Sequence, residues 1–471
     1  MITSRTLLWN LVVAASTFAV VVAFENTARA QSNWDGDTST DWNTAANWAN
    51  DTVPVGTTGA NDAVINVVGG GNPPFTAAIS DNLVGDDATP RDIKVAFGAG
   101  TTGELNHASG AAVTGGGSND GWVFVGSGAG STGTYNVSGT ATLRGGRMLI
   151  GDAGATGTMN VSGSAVVSDF TEEIWVGQLA GSSGTLNISG DADVSSGNWI
   201  AVGRENGTGV VNLSGNGKLR KTGGAPDPQI TLGGLGTSGG GTINIQDNAQ
   251  LASNTGMILG ETAGRSGTIN QTGGSVLLTT ALRNGAGTAD YNLGGGLLMA
   301  AEVRGTAVDT PYAGTFDWTG GTLQVGTFRG NLTQGGGTLM IGSSPGLTTV
   351  VGNYTLSSGD LDIELDGLTP ITEFDVLAVT GDVSLAGDLS LDVGFTPSLG
   401  NMFKIIDNQG PNAVSGMFTQ GMSISAGGYL FGINYGGGDG NDVVLTVIPE
   451  PTGLALIAFA AALGWVARRR R

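Results

Sequence analysis

The chain has 471 residues, of which 85 are Gly, 12% are charged and only 6% are aromatic, a composition unlike that of an ordinary enzyme. Thirty-nine Asp and Glu against 19 Lys and Arg give a formal net charge of -20; so negative a field argues against nucleic acid and against lying flat on anionic lipid. The absence of Cys excludes disulfides and thiolate metal sites. The single histidine, His107, sits in a Gly/Ser/Ala stretch and reads as a surface or turn residue, which weakens metalloenzyme and Ser-His-Asp proposals.

At the amino terminus Arg5 precedes an apolar run over residues 7–24, followed by Ala28-Arg29-Ala30. A positive region, an apolar core and a small-x-small site predict a secretory signal peptide over residues 1–30, cut after Ala30. Residues 31–120 read as a β cap region. Trp34, Trp42 and Trp48 lie close together in Asn/Asp-rich surroundings. They fit a cap that shields the first coil better than a sugar-stacking platform, because the end repeats of a solenoid need atypical protection.

The middle of the chain repeats. Gly133-Thr134-Tyr135-Asn136-Val137-Ser138-Gly139 returns as Gly157-Thr158-Met159-Asn160-Val161-Ser162-Gly163 and Gly184-Thr185-Leu186-Asn187-Ile188-Ser189-Gly190. Weaker copies centre on Asn212, Asn244, Asn270 and Asn292, and Asp317 stands where a further Asn is expected. A preceding strand repeats in step, closing at Gly126, Gly151, Gly177, Gly203, Gly233 and Gly260. The period is about 25 residues, and within each unit apolar and polar residues alternate with period two, the signature of a half-buried strand. Gly every few residues and frequent β-branched side chains exclude helix. Residues 121–342 therefore predict an all-β, right-handed parallel β-helix or solenoid. Tyr135, Met159, Leu186, Val211, Ile243, Ile269 and Tyr291 would stack inside. The Asn series either hydrogen-bonds between coils at turn edges or lines the solvent face. An extra loop is expected around residues 223–228.

A parallel β-helix also suits polysaccharide lyases and hydrolases. Glu172 and Glu173, with Arg204 and Glu205 one coil later, are the candidates for a shared face, and ordinary solvated charge is the preferred reading. Gly335-Gly336-Gly337 lacks the Lys-Ser/Thr that phosphate binding requires. From residue 343 to 446 a β-rich continuation is expected, with strands near 360–366, 374–379, 383–385, 389–393, 403–406, 416–418 and 429–431. Gly436-Gly437-Gly438-Asp439-Gly440-Asn441-Asp442 faintly resembles a calcium-binding nonapeptide but occurs once. A hairpin turn explains it, so no cofactor is expected and calcium is at most weak.

The end of the chain runs Pro449-Glu450-Pro451, then an apolar stretch over residues 454–467, then Arg468, Arg469, Arg470 and Arg471. Fourteen residues of helix span about 21 Å, short of a hydrocarbon core of roughly 30 Å unless flanking residues join and the arginines snorkel. The three features in this order make residues 447–471 resemble a PEP-CTERM sorting signal with a short carboxy-terminal transmembrane helix. The resemblance implies recognition of Pro449, Glu450, Pro451 and the arginine cluster by an exosortase-type membrane transpeptidase, at least transient residence at the inner membrane, and delivery to the surface or matrix. More loosely, the repeats and the segment Asp375-Val376-Leu377-Ala378-Val379-Thr380-Gly381 resemble autotransporter-associated strand repeats. The expected function is that of an exported structural or adhesive protein, not an enzyme. Its possible partner is an exopolysaccharide or envelope glycan, and the alternatives are a polysaccharide-binding module or a polysaccharide lyase or hydrolase.

Overall fold

The computed structural model describes residues 30–55, 61–83, 89–115, 120–224 and 230–450. The signal peptide expected at 1–30, apart from Ala30, and part of the loop expected at 223–228 lie outside the described residues, as do the transmembrane helix, Pro451 and Arg468 to Arg471.

The chain winds as an all-β parallel solenoid. A middle coil contributes three short strands, as in Trp122–Ser127, Thr132–Val137 and Thr142–Arg144, each pairing in parallel with its counterpart one coil on, at Arg147–Asp152, Thr156–Val161 and Val166–Phe170. Three ladders thus run along the body. Period-two alternation places every second side chain inside: Leu105, Tyr135, Met159, Leu186, Val211, Ile243, Ile269 and Tyr291 occupy equivalent register positions and are fully buried. Burial of each such side chain is worth about 1.5–3 kcal/mol, and copying the position from coil to coil makes one continuous core out of short strands.

The closing glycines turn the corner between the first and second strands. Gly177 has φ +75°, and a Cβ there would lie 2.0 Å from the Thr208 carbonyl oxygen of the next coil. Both the left-handed backbone and the close approach require glycine. From residue 266 the strands of a coil become continuous, as Ser266–Asn284, Thr288–Arg304 and Thr315–Arg329, and the corners persist inside them as register shifts and as left-handed Gly274, Gly296 and Gly321.

Parallel pairing crosses both of the boundaries drawn at 121 and 342. It begins with Gln31–Asn33 on Asp62–Ile65 and Asp62–Ile65 on Ile93–Phe97, inside the segment expected to be a cap. It continues past Gly342 through Thr338–Ile341, Asp360–Leu365 and Asp388–Val393, and through Leu347–Val351, Val376–Val379 and Met402–Asn408. The Gly-Thr-x-Asn phrase fades there, but the inward alternation that specifies the register persists, as in Leu339, Leu361 and Leu389.

Both ends are closed differently from the body. At the amino end Trp34, Trp42 and Trp48 are buried and pack edge to face, with centroids 5.1 and 4.7 Å apart. The Trp34 indole donates to the Phe75 carbonyl at 2.7 Å and that of Trp48 to the Trp42 carbonyl at 2.7 Å. At the carboxy end the pairing turns antiparallel: Asp442–Ile448 lies between Met402–Asn408 and Tyr429–Gly437, and Ser423–Ala426 adds outside. An antiparallel hairpin leaves no corner on which a further parallel coil can build.

Candidate functional site

The outward positions of the first ladder carry the densest chemistry of the described residues. Four residues before each closing glycine stand Trp122, Arg147, Glu173 and Trp199, and two residues later Phe124, Leu149, Trp175 and Ala201. Outward positions of a solenoid ordinarily meet water, yet here Leu149, Trp175 and Ala201 form a second buried apolar cluster, separate from the core, with Trp122 and Phe124 packed on it. Phe97, one coil earlier, meets Phe124 edge on at 5.4 Å.

Guanidinium and indole groups alternate along this face. The Arg147 guanidinium lies 4.5 Å from the Trp122 ring and 4.4 Å from the Trp175 ring, and that of Arg204 lies 4.2 Å from Trp175 and 5.9 Å from Trp199. Flat, weakly hydrated guanidinium suits this stacking in a way an ammonium does not. The carboxylates complete the layer: Arg147 pairs with Glu172 at 3.0 Å and Glu173 at 3.4 Å, while Arg204 reaches Glu205 at 3.4 Å and Glu173 at 3.9 Å. Burial pushes the Glu173 carboxyl above its ordinary value, and the two arginines draw it back. Nearby, burial also raises Asp152, against a hydrogen bond from the Ser127 hydroxyl at 3.1 Å.

Glu172, Glu173, Arg204 and Glu205, read from sequence as solvated singly, are therefore brought together by the register. Sequence reasoning missed Trp122, Arg147, Trp175 and Trp199. The signal was present, since each occupies a fixed offset from a closing glycine.

The Asn series resolves into a hydrogen-bonded ladder on the outside of the second strands. Each Nδ2 donates to the Oδ1 of the preceding coil, from Asn136 to Asn106 at 2.8 Å and onward through Asn160, Asn187, Asn212, Asn244, Asn270 and Asn292 at 2.7–2.8 Å. Both readings left open in the sequence hold at once: the amides face out, half-buried, and bond between coils.

Other expected sites fall elsewhere. His107 is buried rather than a surface residue, a position set by its inward place in the strand Thr102–His107. Its Nε2 donates to the Gly110 carbonyl at 3.1 Å, which leaves Nδ1 to accept from the Tyr135 hydroxyl at 3.3 Å, and burial lowers its pKa to about 4. The buried faces of Trp34, Trp42 and Trp48 are spent on one another, so they offer no sugar platform. Residues 438–441 form the turn of the hairpin between Tyr429–Gly437 and Asp442–Ile448, and Asp442 accepts from the Asn408 amide at 2.9 Å. Among the described residues no group of three or more His, Cys, Asp or Glu is placed to hold a metal, and no helix is long and apolar enough to cross a membrane. Of the tail, Pro449 and Glu450 are described; both are exposed, directly after the last strand.

Fold and face together define a parallel β-solenoid with a laminated aromatic and charged patch on one side. No family model matches the chain, and no curated protein does. Among solved structures, the crystal structure of the Haemophilus influenzae Hap adhesin matches with 12% identity and a TM-score of 0.25, over 83% of this chain and 46% of that one. The chain thus spans less than half the length of that adhesin's structure. So distant a likeness says nothing about what the present chain binds.

Proposed function

We propose that the chain is an exported structural or adhesive protein of the cell surface or extracellular matrix, sorted through its carboxy-terminal tail. The observation that carries this reading is the parallel ladder, which runs strand to strand from Gln31–Asn33 to Met402–Asn408. Residues are spent on length and on repeated lateral faces, the properties of a displayed rod. Glu173, the acid drawn between two guanidiniums, is tied up in ion pairs, which favours a non-catalytic role over a lyase or hydrolase.

The tail leaves from the closing hairpin, at one end of the ladder. Pro449 and Glu450 are exposed there. Proline restricts the residue before it, so Glu450, which precedes Pro451 in the sequence, is held to extended backbone, a form that an exosortase-type transpeptidase could grip. The apolar stretch and terminal arginines would hold the chain at the inner membrane during that step. Replacing Pro449, Glu450 and Pro451 with Ala tests the assignment by the protein's size and location in fractionated cells. Accumulation of a larger, membrane-held form is expected, and unchanged size and placement would overturn the sorting role.

A further inference from the structure

The outward face of the first ladder carries a more specific reading, which rests on the surface role above and gives it a partner. Its apolar part is half-open: Trp122, Phe124 and Trp199 remain partly exposed over the buried Leu149, Trp175 and Ala201. Its polar part supplies donors and acceptors side by side. Arg147 and Arg204 present N–H groups and Glu172 and Glu205 present oxygens, while Oε2 of Glu173 is enclosed between the two guanidiniums. Stacking surface beside paired donors and acceptors is the chemistry that sugar rings require, since a ring offers C–H faces and hydroxyls that both donate and accept.

Charge selects among sugars. Every guanidinium on the face already answers a carboxylate, within a chain whose formal net charge is -20. An acidic polymer would meet a repelling field with no uncommitted cation to receive it, whereas a neutral polymer meets no such barrier. Length selects too. Trp122 and Trp199 stand in one register column, three coils apart, so at the usual strand spacing the face extends about 14 Å along the axis. That is the footprint of an oligomeric stretch rather than of a single sugar.

Access is built into the corners. The connections preceding Arg147, Glu173 and Trp199 are residues 145–146, 171–172 and 197–198, two residues each, while those at 114–121 and 222–229 have eight. The short corners thus fall within the face, and the two eight-residue connections stand at its ends, one leading into Trp122 and the other into Ile230, one coil past Trp199. Three of the nine tryptophans of the chain lie on this one face, and three more close the amino end.

We propose that Trp122, Phe124, Arg147, Glu173, Trp199 and Arg204 form a binding face for a neutral polysaccharide lying along the solenoid axis. The rings stack on its apolar faces, and the Arg–Glu pairs bond its hydroxyls.

Affinity electrophoresis of the purified full chain tests this, through gels containing neutral polymers (β-glucan, mannan, xylan) or acidic ones (alginate, polygalacturonate). Retardation by at least one neutral polymer is expected, with little by the acidic ones at equal concentration. Trp199→Ala and Arg204→Gln should each weaken retardation at least ten-fold. Thermal melts run beside each variant, and Trp199→Phe, which keeps a ring, should retain part of the binding if Trp199→Ala fails to fold. No retardation by any neutral polymer, stronger retardation by the acidic ones, or wild-type retardation of folded Arg204→Gln and Trp199→Ala overturns the proposal. Surface labelling of intact cells separates the two readings. A displayed chain that does not bind sinks only the face, and a chain absent from the surface sinks the role it rests on.

Discussion

Asn187 sits in the middle of the amide ladder, donating to Asn160 at 2.8 Å and accepting from Asn212 at 2.8 Å. Asn187→Ala removes both bonds at once. An intramolecular hydrogen bond contributes about 0.5–1.5 kcal/mol net, so two set the scale at about 1–3 kcal/mol. The position is half-buried, and water can take up the freed Asn160 oxygen and Asn212 amide, which moves the expectation to the lower half, about 1–2 kcal/mol. Thr185→Ala, on the same outward face two residues earlier, is the control for loss of outward side-chain atoms. In a stacked repeat the damage stays near the altered rung, because each coil touches only its neighbours. Amide hydrogen exchange followed by peptide mass spectrometry therefore reads it best. Faster exchange is expected in the strands Thr156–Val161, Ser183–Ile188 and Thr208–Leu213, and not near the ends. If Asn187→Ala exchanges like Thr185→Ala, the ladder adds nothing to stability and the inter-coil amide account is wrong.

Gly177→Ala places a Cβ 2.0 Å from the Thr208 carbonyl oxygen at φ +75°, whereas Gly130→Ala has a similar φ of +71° with open space around it. Chemical denaturation should show the second losing only the backbone term of about 1 kcal/mol and the first clearly more, and equal losses would refute the steric account. Leu186→Ala hollows the inner column between Met159 and Val211 and should cost about 2–5 kcal/mol in the same assay. His107 and Asp375 respond to acid in opposite directions. Burial holds the folded His107 near 4, so as pH falls from 6.5 to 4 the unfolded chain binds the proton first and about 3 kcal/mol of stability is lost. Burial lifts Asp375 to about 6, against hydrogen bonds from the Gly346 and Glu364 amides, so between pH 6 and 3.8 the folded chain binds first and regains a similar amount. Acidification from pH 6.5 to 4 should therefore cost Asp375→Asn more stability than wild type and His107→Gln less; denaturation curves with the two variants in the reverse order would contradict these assignments.

The inner core was legible because alternation is a local property. Leu186 and Ile188 name their face by their spacing alone, and the closing glycines mark the corners. The limits of the solenoid were less legible. The Gly-Thr-x-Asn phrase identifies coils by their outward Asn, and where that residue is absent, as in Asp360–Leu365, the coil persists under a different surface. Asp317 shows why the phrase stops where it does: every ladder amide donates toward the preceding coil, and a carboxylate has no proton to donate to Asn292. The antiparallel closure left no mark beyond hairpin punctuation, since a strand looks alike in either orientation.

The lateral face was hidden for a different reason. Register constrains inward positions to be apolar but leaves outward ones free to differ from coil to coil. A site there is spelled by residues about 25 apart that share no motif. Trp122, Arg147, Glu173 and Trp199 become a column only once Gly126, Gly151, Gly177 and Gly203 are aligned, each four residues downstream. That freedom explains how a repetitive chain can hold one non-repetitive site. The glycine corners and the buried column fix where each side chain points, and four outward residues in successive coils, Trp122, Arg147, Trp175 and Arg204, suffice to place rings and guanidiniums within 4.2–4.5 Å of one another. The same rule bounds what such a site can be. Its depth is limited to one layer of side chains on a flat ladder, while its length is limited only by the number of coils, which suits a long polymer better than a small molecule needing an enclosed pocket.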